Sequence, residues 1–197
     1  MNGADVGEND VIVVRSAMSG LGALAVAVRG GAVTGIRFGH ASEAKAIAAL
    51  LGPLARRTSS DASVVPSEAD EELADDVIDR LQRFADGEPV DFRDVPVALD
   101  YLSAFQRRVV KACRAIPTGE QRTYGQLAAA AGSPGAARAV GQVMATNRVP
   151  LVVPCHRVVA SGGGRGGFSA PQGLAMKRRL LAMEAATTGA DAERALF

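Results

Sequence analysis

The sequence has few of the residues that build metal sites and disulfide frameworks. Its 197 residues include two cysteines, two histidines and no tryptophan, and aromatic residues make up 4%. Two cysteines are too few for a disulfide framework, so the sequence predicts free thiols in a reducing compartment. Zinc ligands recur at short spacings, whereas Cys113 and His40 are far in sequence from Cys155 and His156. We therefore expect no metal ion.

Long apolar runs are also absent. No stretch approaches the roughly 18 uninterrupted apolar residues of a membrane span. Residues 1–10, MNGADVGEND, are acidic where a signal peptide would be basic and then apolar. Hydrophobic residues nevertheless make up 48% of the chain, which is ample for a packed core. We expect a globular protein in the cytoplasm with no membrane partner.

Acidic residues are scarce in the second half of the chain. Residues 99–184 contain 12 Lys/Arg and 3 Asp/Glu, whereas residues 1–98 contain 9 and 16. The net charge of +1 therefore hides one acidic and one basic half. A basic half is typical of a protein that binds a polyanion, which favours nucleic acid as the partner. A basic face also serves solubility alone, so charge leaves both interpretations open.

The first half predicts a small sheet with helices. Three β-rich runs separated by glycine-bearing turns predict an antiparallel meander over Val11–Arg15, Leu24–Val28 and Val33–Phe38. Apolar spacing predicts helices at about 42–51 and 68–84, with a loop between them. Residues 86–100 hold two prolines and five acids, which predicts a crossing between domains.

The second half predicts helices. Ser103 is expected to cap a helix that runs to Ala115, and its apolar stripe makes Cys113 a small core residue. A short helix over 123–132 and another opened by Ser133-Pro134 and ending near Ala145 predict a helix-turn-helix unit. An ordinary helical hairpin is the alternative interpretation.

The second helix of this pair has little side-chain bulk. Nearly half of its residues are alanine or glycine, including Ala137 and Gly141, and Arg138 is its only charge. Small residues let a backbone approach a partner closely, and one long cationic side chain among them can reach into that partner. Tight packing inside the protein would require the same composition, so both interpretations stay open.

Cys155 and His156 are adjacent in VVPCHRVV, residues 152–159. Neighbouring side chains of an extended segment point to opposite faces, so direct contact requires a turned backbone and a water between them is easier. Leu151–Pro154 predicts a buried strand with Cys155 at the turn that follows, where reactive groups are commonly displayed. The valines also suit a core cysteine, but burying His156 and Arg157 would then be costly unless both were paired.

A candidate third group lies on the C-terminal helix. Glu184 is the only acid between Glu120 and Asp191. It follows Leu180 and Leu181 by four and three positions, so it shares their inward face, where a carboxylate is costly without a partner. One hypothesis is a Cys-His-Glu relay that activates the thiol, and the other is a structural ion pair with a nearby arginine.

Several motifs in the second half occur together and in order. They are TYGQLA (123–128), AARAVG (136–141), Asn147 with PCHRV (154–158), GFS (167–169) and GLAMKRRLLAMEA (173–185). Over about residues 99–185 the chain closely resembles the O6-alkylguanine-DNA alkyltransferases, also called methylated-DNA-protein-cysteine methyltransferases. It departs from them at Ala170–Gln172, which lengthen the loop where the family often has Gly-Gly before leucine, and at Phe168, where many relatives have tyrosine.

The resemblance implies a two-domain architecture. An α/β N-terminal domain like ribonuclease H, an antiparallel sheet plus helices, would occupy residues 1–95. A mainly α winged-helix DNA-binding domain would occupy 96–185, followed by a tail over 186–197. The protein would be a monomer that needs no cofactor, and the resemblance leaves open whether molecules bind DNA cooperatively.

The implied activity is DNA repair by direct alkyl transfer. The alkyl group of O6-alkylguanine in double-stranded DNA would move to Cys155 once per protein molecule, after the base is flipped out through minor-groove binding. O4-alkylthymine is a further substrate that the resemblance leaves open. One rival is a non-enzymatic lesion sensor, but such proteins lack the acceptor cysteine. Another is a cysteine hydrolase, which would leave the basic helix-turn-helix unexplained.

The resemblance also implies roles for four residues around the thiol. Cys155 would accept the alkyl group, and Asn147 would brace the turn that presents it. His156 would reach the thiol through water, and Glu184 would hold His156 in place.

Further residues are implied to contact the base and the DNA. Tyr124 would offer its hydroxyl to guanine N3, and Ser169 would donate to O6. The carbonyls of Cys155 and Val158 would accept from the exocyclic amine, and Phe168 would line the pocket. The residues implied to lie against the minor groove are Ala137, Arg138 and Gly141. Of these, the arginine would enter the base stack.

Overall fold

A three-stranded antiparallel sheet forms the centre of the N-terminal half, in the order β1-β2-β3. The computed structural model describes residues 11–53, 66–161 and 167–189. The strands are β1 (Val13–Ala17), β2 (Ala23–Arg29) and β3 (Ala32–His40). The predicted meander is confirmed, but β1 starts two residues later than predicted, because the hairpin register pairs Val13 with Val28.

Two helices cover the two faces of this sheet. They are α1 (Glu43–Leu51) and α2 (Glu68–Ala85), which confirms both predicted helices. Alternate residues of β2 point to opposite faces. Those that pack in the core with α2 are Leu24, Val26 and Val28, and those that pack with α1 are Ala23, Ala25 and Ala27. The strand is therefore buried on both faces, with its large residues on one and its alanines on the other.

Helices dominate the described part of the C-terminal half. They are α3 (Ala104–Arg114), α4 (Tyr124–Ala130), α5 (Ala137–Ala145) and α6 (Leu174–Thr188). Ser103 and Thr123 cap α3 and α4, and the side-chain oxygen of a glutamine three residues later accepts a hydrogen bond from the backbone N–H of each cap. The predicted starts of these two helices are confirmed.

The predicted start of α5 at Ser133-Pro134 is wrong. Ala136 precedes the helix without a side-chain cap. Gly132 and Gly135 have φ angles of 71° and 87°, a conformation that glycine adopts at little cost. The Ser133 carbonyl accepts from the Ala136 N–H at 3.1 Å, so serine and proline form a turn before the helix instead of its first residues.

The predicted strand at Leu151–Pro154 is also wrong. This segment is a buried turn, in which Leu151 has a φ of 73°, rare for a branched side chain. The Val153 N–H donates to the Val149 carbonyl at 2.9 Å. Leu151 and Val153 are 2% and 0% exposed, so burial was predicted correctly. The extended backbone geometry was predicted incorrectly, because a short apolar run is compatible with a buried turn as well as with a strand.

A short parallel pairing joins two distant parts of the C-terminal half. Strand β4 (Arg122–Thr123) pairs with β5 (Val158–Val159). The first strand leads directly into α4, and the second follows the 3₁₀ turn Cys155–Arg157. The pairing therefore brings the start of α4 beside the turn that carries Cys155.

Some predictions concern residues outside the described ranges. These are the acidic residues 1–10, most of the loop between α1 and α2 and most of the predicted tail. Across the ranges that are described, we find no helix with both the length and the apolar character needed to cross a bilayer. The domain boundaries at 95 and 185 stay predictions.

Candidate active site

Cys155 is the first residue of the 3₁₀ turn that follows Pro154. A 3₁₀ turn has three residues per turn, so consecutive side chains point in different directions. Cys155 lines a cavity, whereas His156 and Arg157 both reach Glu184 on α6. The geometry explains how adjacent residues serve one site although their side chains diverge.

Glu184 contacts His156 and Arg157 at the same time. Its Oε1 lies 2.8 Å from His156 Nε2 and accepts from Arg157 Nη2 at 2.8 Å, and its Oε2 accepts from Arg157 Nε at 3.0 Å. Glu184 and His156 are each 1% exposed. Glu184 therefore makes both the histidine contact that a relay would need and the arginine ion pair, which the sequence presented as alternatives.

These contacts fix the charge states of the buried groups. Burial alone would raise the pKa of Glu184, but the hydrogen bonds and charges of His156 and Arg157 lower that pKa to about 2. Burial lowers the pKa of His156, and the charges of Arg157 and Lys177 lower it further, against the opposing effect of Glu184. The permanent charge of Arg157 keeps Glu184 ionised at neutral pH, where the imidazole beside it is neutral, and the charge of His156 adds to this effect only in acid.

The tautomer of His156 follows from this arrangement. A carboxylate only accepts hydrogen bonds, so Nε2 carries the ring proton and Nδ1 has the lone pair. Nδ1 is buried, and it has no hydrogen-bond partner among the described residues. A neutral imidazole held in this way can accept a proton from a nearby thiol, directly or through one water.

The groups around the Cys155 thiol shift its pKa in opposite directions. Burial raises the pKa of Cys155, which disfavours the thiolate. The side chain of Asn147, the charge of Lys177 and the backbone N–H groups of Cys155 and His156 all lower it. Groups of this kind stabilise the thiolate, which is the nucleophilic form of cysteine.

Asn147 fastens the segment that leads to Cys155. Its Nδ2 donates to the Val153 carbonyl at 2.9 Å, and its Oδ1 accepts from the Val149 N–H at 3.1 Å. These two bonds enclose Leu151, whose left-handed backbone is strained and persists only where its surroundings hold it. Asn147 thus lies at the turn that presents Cys155, where the resemblance placed it.

Lys177 is a buried cation that the sequence patterns did not single out. It is 6% exposed, and its Nζ donates to the Val158 carbonyl at 2.6 Å. Burial lowers the pKa of Lys177. Lys177 precedes Leu181 by four positions and Glu184 by seven, so the spacing that placed Glu184 on the inner face also indicated Lys177. The Val158 carbonyl keeps a second lone pair for another donor.

A cavity of ≈ 450 Å³ lies beside Cys155. Its volume is in the usual range for a small-molecule site. The predicted site residues that line it are Tyr124, Gly141, Cys155, Phe168 and Ser169. Met144 and Ala145 line it as well and were not predicted. Burial, followed by the effect of Cys155, raises the pKa of Tyr124, so the phenol keeps its proton and can donate it to a ligand.

Helix α5 presents its small residues away from the core. Its buried residues are Val140, Val143 and Met144, whereas Arg138 is exposed. Apart from the backbone of its own helix and its chain neighbours, a Cβ added at Gly141 would meet no described atom within 4 Å. Packing inside the described protein therefore does not explain glycine at this position. Ala137 and Arg138 form the first turn of the same helix.

Within the described ranges, neither Cys113 nor His40 forms a hydrogen bond with Cys155, His156 or Glu184. Cys113 is 0% exposed in the main apolar core, and burial raises its pKa. Burial and the nearby Arg37 lower the pKa of His40. Over the described residues, no group of three or more His, Cys, Asp and Glu side chains could hold a metal ion.

Three comparisons with known proteins agree with this geometry. The sequence model described as "6-O-methylguanine DNA methyltransferase, DNA binding domain" matches residues 104–186. A "Methylated-DNA--protein-cysteine methyltransferase" from Mycobacterium bovis is 42% identical over 115 residues, which are 58% of this chain and 67% of the relative. One from Methanopyrus kandleri is 48% identical over 106 residues, covering 54% and 76%. The crystal structure of Mycobacterium tuberculosis OGT in complex with DNA has a TM-score of 0.66 at 33% identity, covering 93% of this chain and 98% of that one.

Proposed function

Because the chain belongs to the methylated-DNA–protein-cysteine methyltransferase family, we propose that it repairs DNA by transferring the alkyl group of O6-alkylguanine to its own Cys155. One observation carries the proposal. The thiol of Cys155 lines a cavity of base-binding size, and a neutral His156 oriented by an ionised Glu184 lies in the same turn.

The chemistry begins with the proton of the thiol. That proton moves to Nδ1 of His156, directly or through a water, and leaves a thiolate that attacks the alkyl carbon in line. The S–C bond forms as the C–O6 bond breaks, and the electron pair of the broken bond stays on guanine. One proton then returns to the base, so the products are guanine and a thioether on Cys155. Because a thioether offers water no good leaving group, each molecule reacts once.

The cavity supplies hydrogen-bond donors where guanine needs them. Tyr124 donates to N3, and Ser169 donates to O6, where negative charge develops as the bond breaks. The carbonyls of Cys155 and Val158 accept from the exocyclic amine. Phe168 provides an apolar wall against the flat base.

Double-stranded DNA is the partner, and α5 is the element that enters its minor groove. Ala137 and Gly141 let the backbone approach the DNA closely, and Arg138 enters the stack in place of the flipped base. The ribonuclease H-like and winged-helix topologies, the monomeric state and the cytoplasmic location stay predictions that accompany this function.

Intact-mass spectrometry tests the proposal. The full-length protein is incubated with a duplex that contains O6-methylguanine, and we expect a mass increase of one methyl group, located on the peptide that contains Cys155. Tight binding without a mass change would instead indicate a lesion sensor. Repeated turnover of an ester or amide substrate would indicate a hydrolase, and either result would contradict the proposal.

A second experiment tests the assignment of Arg138. The Arg138→Ala variant loses the side chain that replaces the flipped base but keeps the cavity, so repair of duplex DNA should slow at least about tenfold while reaction with free O6-benzylguanine stays near the wild-type rate. Arg178→Ala removes an exposed charge from α6 and serves as the control. Equal losses on both substrates would refute a role in base flipping.

A further inference from the structure

The segment from Phe168 to Gly173, here called the pocket loop, connects the cavity wall to α6. Phe168 and Ser169 line the cavity at one end, and Gly173 precedes the first residue of the helix at the other. The Gly173 N–H donates to the Ala170 carbonyl at 2.8 Å, so the extra residues 170–172 form a tight turn. A contact that holds this turn in place therefore also restricts the positions of Phe168 and Ser169 at the cavity.

The end of β3 contacts the pocket loop at two points. The Nε2 of Gln172 donates to the Gly39 carbonyl at 2.8 Å. The rings of Phe38 and Phe168 meet edge to face, with their centroids 6.2 Å apart and their planes at 61°. Because these contacts lie on either side of Ser169, the N-terminal sheet holds both flanks of the residue that would donate to guanine O6.

The backbone at Gly39 is shaped around the Gln172 side chain. Gly39 has a φ of +80°, and an added Cβ would lie 2.7 Å from Gln172 Oε1 and 3.3 Å from Met176 Cε. Helix α6 is bonded to the N-terminal half independently of Gln172: Arg179 Nη2 donates to the Gly20 carbonyl at 2.7 Å. Loss of the Gln172 bond would therefore free the C-terminal end of the loop, while the Phe38–Phe168 contact and the attachment of the helix remain.

We propose that Gln172 is a positioning residue that limits the size of the alkyl group the protein accepts, by holding Phe168 and Ser169 against the cavity. The inference rests on the proposed function. A released loop places the Ser169 hydroxyl less well for a methyl adduct, which slows the small substrate. The Phe168 ring can also move aside more readily for a bulky adduct, so the substrate preference of the protein shifts towards larger alkyl groups.

The test uses two duplexes that differ only in carrying O6-methylguanine or O6-benzylguanine. Single-turnover rate constants are measured for the full-length wild type, Gln172→Ala and Gln172→Glu, the last of which keeps the shape but removes the donor. We expect the benzyl-to-methyl ratio to rise roughly threefold to tenfold in both variants, the factor that corresponds to one exposed hydrogen bond. Both should still bind one alkyl group per molecule at completion and keep a wild-type melting temperature.

Gln82→Ala is the matched control. Gln82 Nε2 donates to the Met18 carbonyl at 3.2 Å, which is also a bond from a glutamine side chain to a backbone carbonyl but lies away from the cavity, so the ratio of this variant should not change. An unchanged or lower ratio in either Gln172 variant, or an equal rise in the control, overturns the inference. A wild type that accepts neither alkyl group overturns the proposed function itself.

Discussion

The surroundings of Cys113 and Cys155 differ although both thiols are buried, at 0% and 5% exposure. Cys113 lies within α3 in the apolar core, whereas Cys155 begins a turn at the wall of a cavity. Burial raises the pKa of both thiols, and the charge of Lys177 lowers the pKa of both. Only at Cys155 do the Asn147 side chain and backbone N–H groups also stabilise the thiolate.

The difference shows which features make a buried cysteine reactive. Burial and a nearby cation are common to both cysteines, so neither feature by itself makes a cysteine reactive. What distinguishes Cys155 is access to a cavity together with hydrogen-bond donors and a proton acceptor in the same turn. The backbone N–H groups around Cys113, near the end of α3, already bond within the helix and cannot donate to its thiol.

Replacing each cysteine in turn gives the largest expected difference. Cys155→Ala should abolish alkyl transfer completely, because no other group occupies that position. Cys113→Ala should still take up one alkyl group per molecule and lose only about 1 kcal/mol of folding stability, the cost of a small core cavity. Intact-mass spectrometry and urea denaturation measure the two effects. Transfer by Cys155→Ala would contradict the assignment of the acceptor.

Glu184→Gln should slow transfer by about 100-fold or more, since it removes the group that fixes the His156 tautomer and leaves Arg157 buried without its counter-charge. Asp70→Asn is the matched control. Asp70 is equally buried at 1% exposure and accepts from the Gly30 and Gly31 N–H groups, far from the thiol. It should lose stability but react at the wild-type rate once the folded fraction is taken into account. Equal rates for both variants would remove Glu184 from the mechanism.

The pH dependence of stability should reveal the same carboxylate. The pKa of Glu184 is lowered from 4.5 to about 2 by folding, so its contribution is fully present above pH 4.5 and lost as the pH falls towards 2. We expect about 3 kcal/mol of acid destabilisation from this residue, measured by urea denaturation between pH 6 and pH 2.5. The Glu184→Gln variant should lack this component, and an identical slope would contradict the assignment.

Lys177→Met should have a smaller effect on the rate. The lost charge no longer lowers the pKa of Cys155, so the thiolate fraction should fall and the pH–rate profile with free O6-benzylguanine should move to higher pH. Arg178→Met removes a charge from the adjacent, exposed position of α6 and should leave the profile in place. A profile that moves equally in both variants would mean that net charge, and not the buried ammonium, tunes the thiol.

Periodicity and capping patterns predicted much of the fold. Ser103 and Thr123 are confirmed caps because each has a glutamine three residues later, a local signal that needs no tertiary information. Ser133-Pro134 carries a similar local signal but forms a turn, because the glycines on either side bend the chain first. Local patterns therefore identified the helices better than they identified where each begins.

The partners of Glu184 were predictable only in part. Its inward spacing indicated that it needs a partner, and a histidine and an arginine were the alternatives, but the sequence did not indicate that His156 and Arg157 both contact it. That arrangement depends on a 3₁₀ turn where the apolar run predicted the end of a strand. The contact of β3 with the pocket loop depends on how the two halves pack, which local patterns do not contain.

The two-residue pairing of β4 with β5 shows that the site depends on contacts between distant parts of the chain. Its partners Arg122 and Val158 come from separate parts of the chain, as do His156 and Glu184, 28 residues apart, and Arg157 and Ile116, 41 residues apart. Bringing distant residues together costs conformational entropy that only the assembled structure offsets. The surroundings that distinguish Cys155 are therefore complete only when the elements from α3 to α6 are packed together.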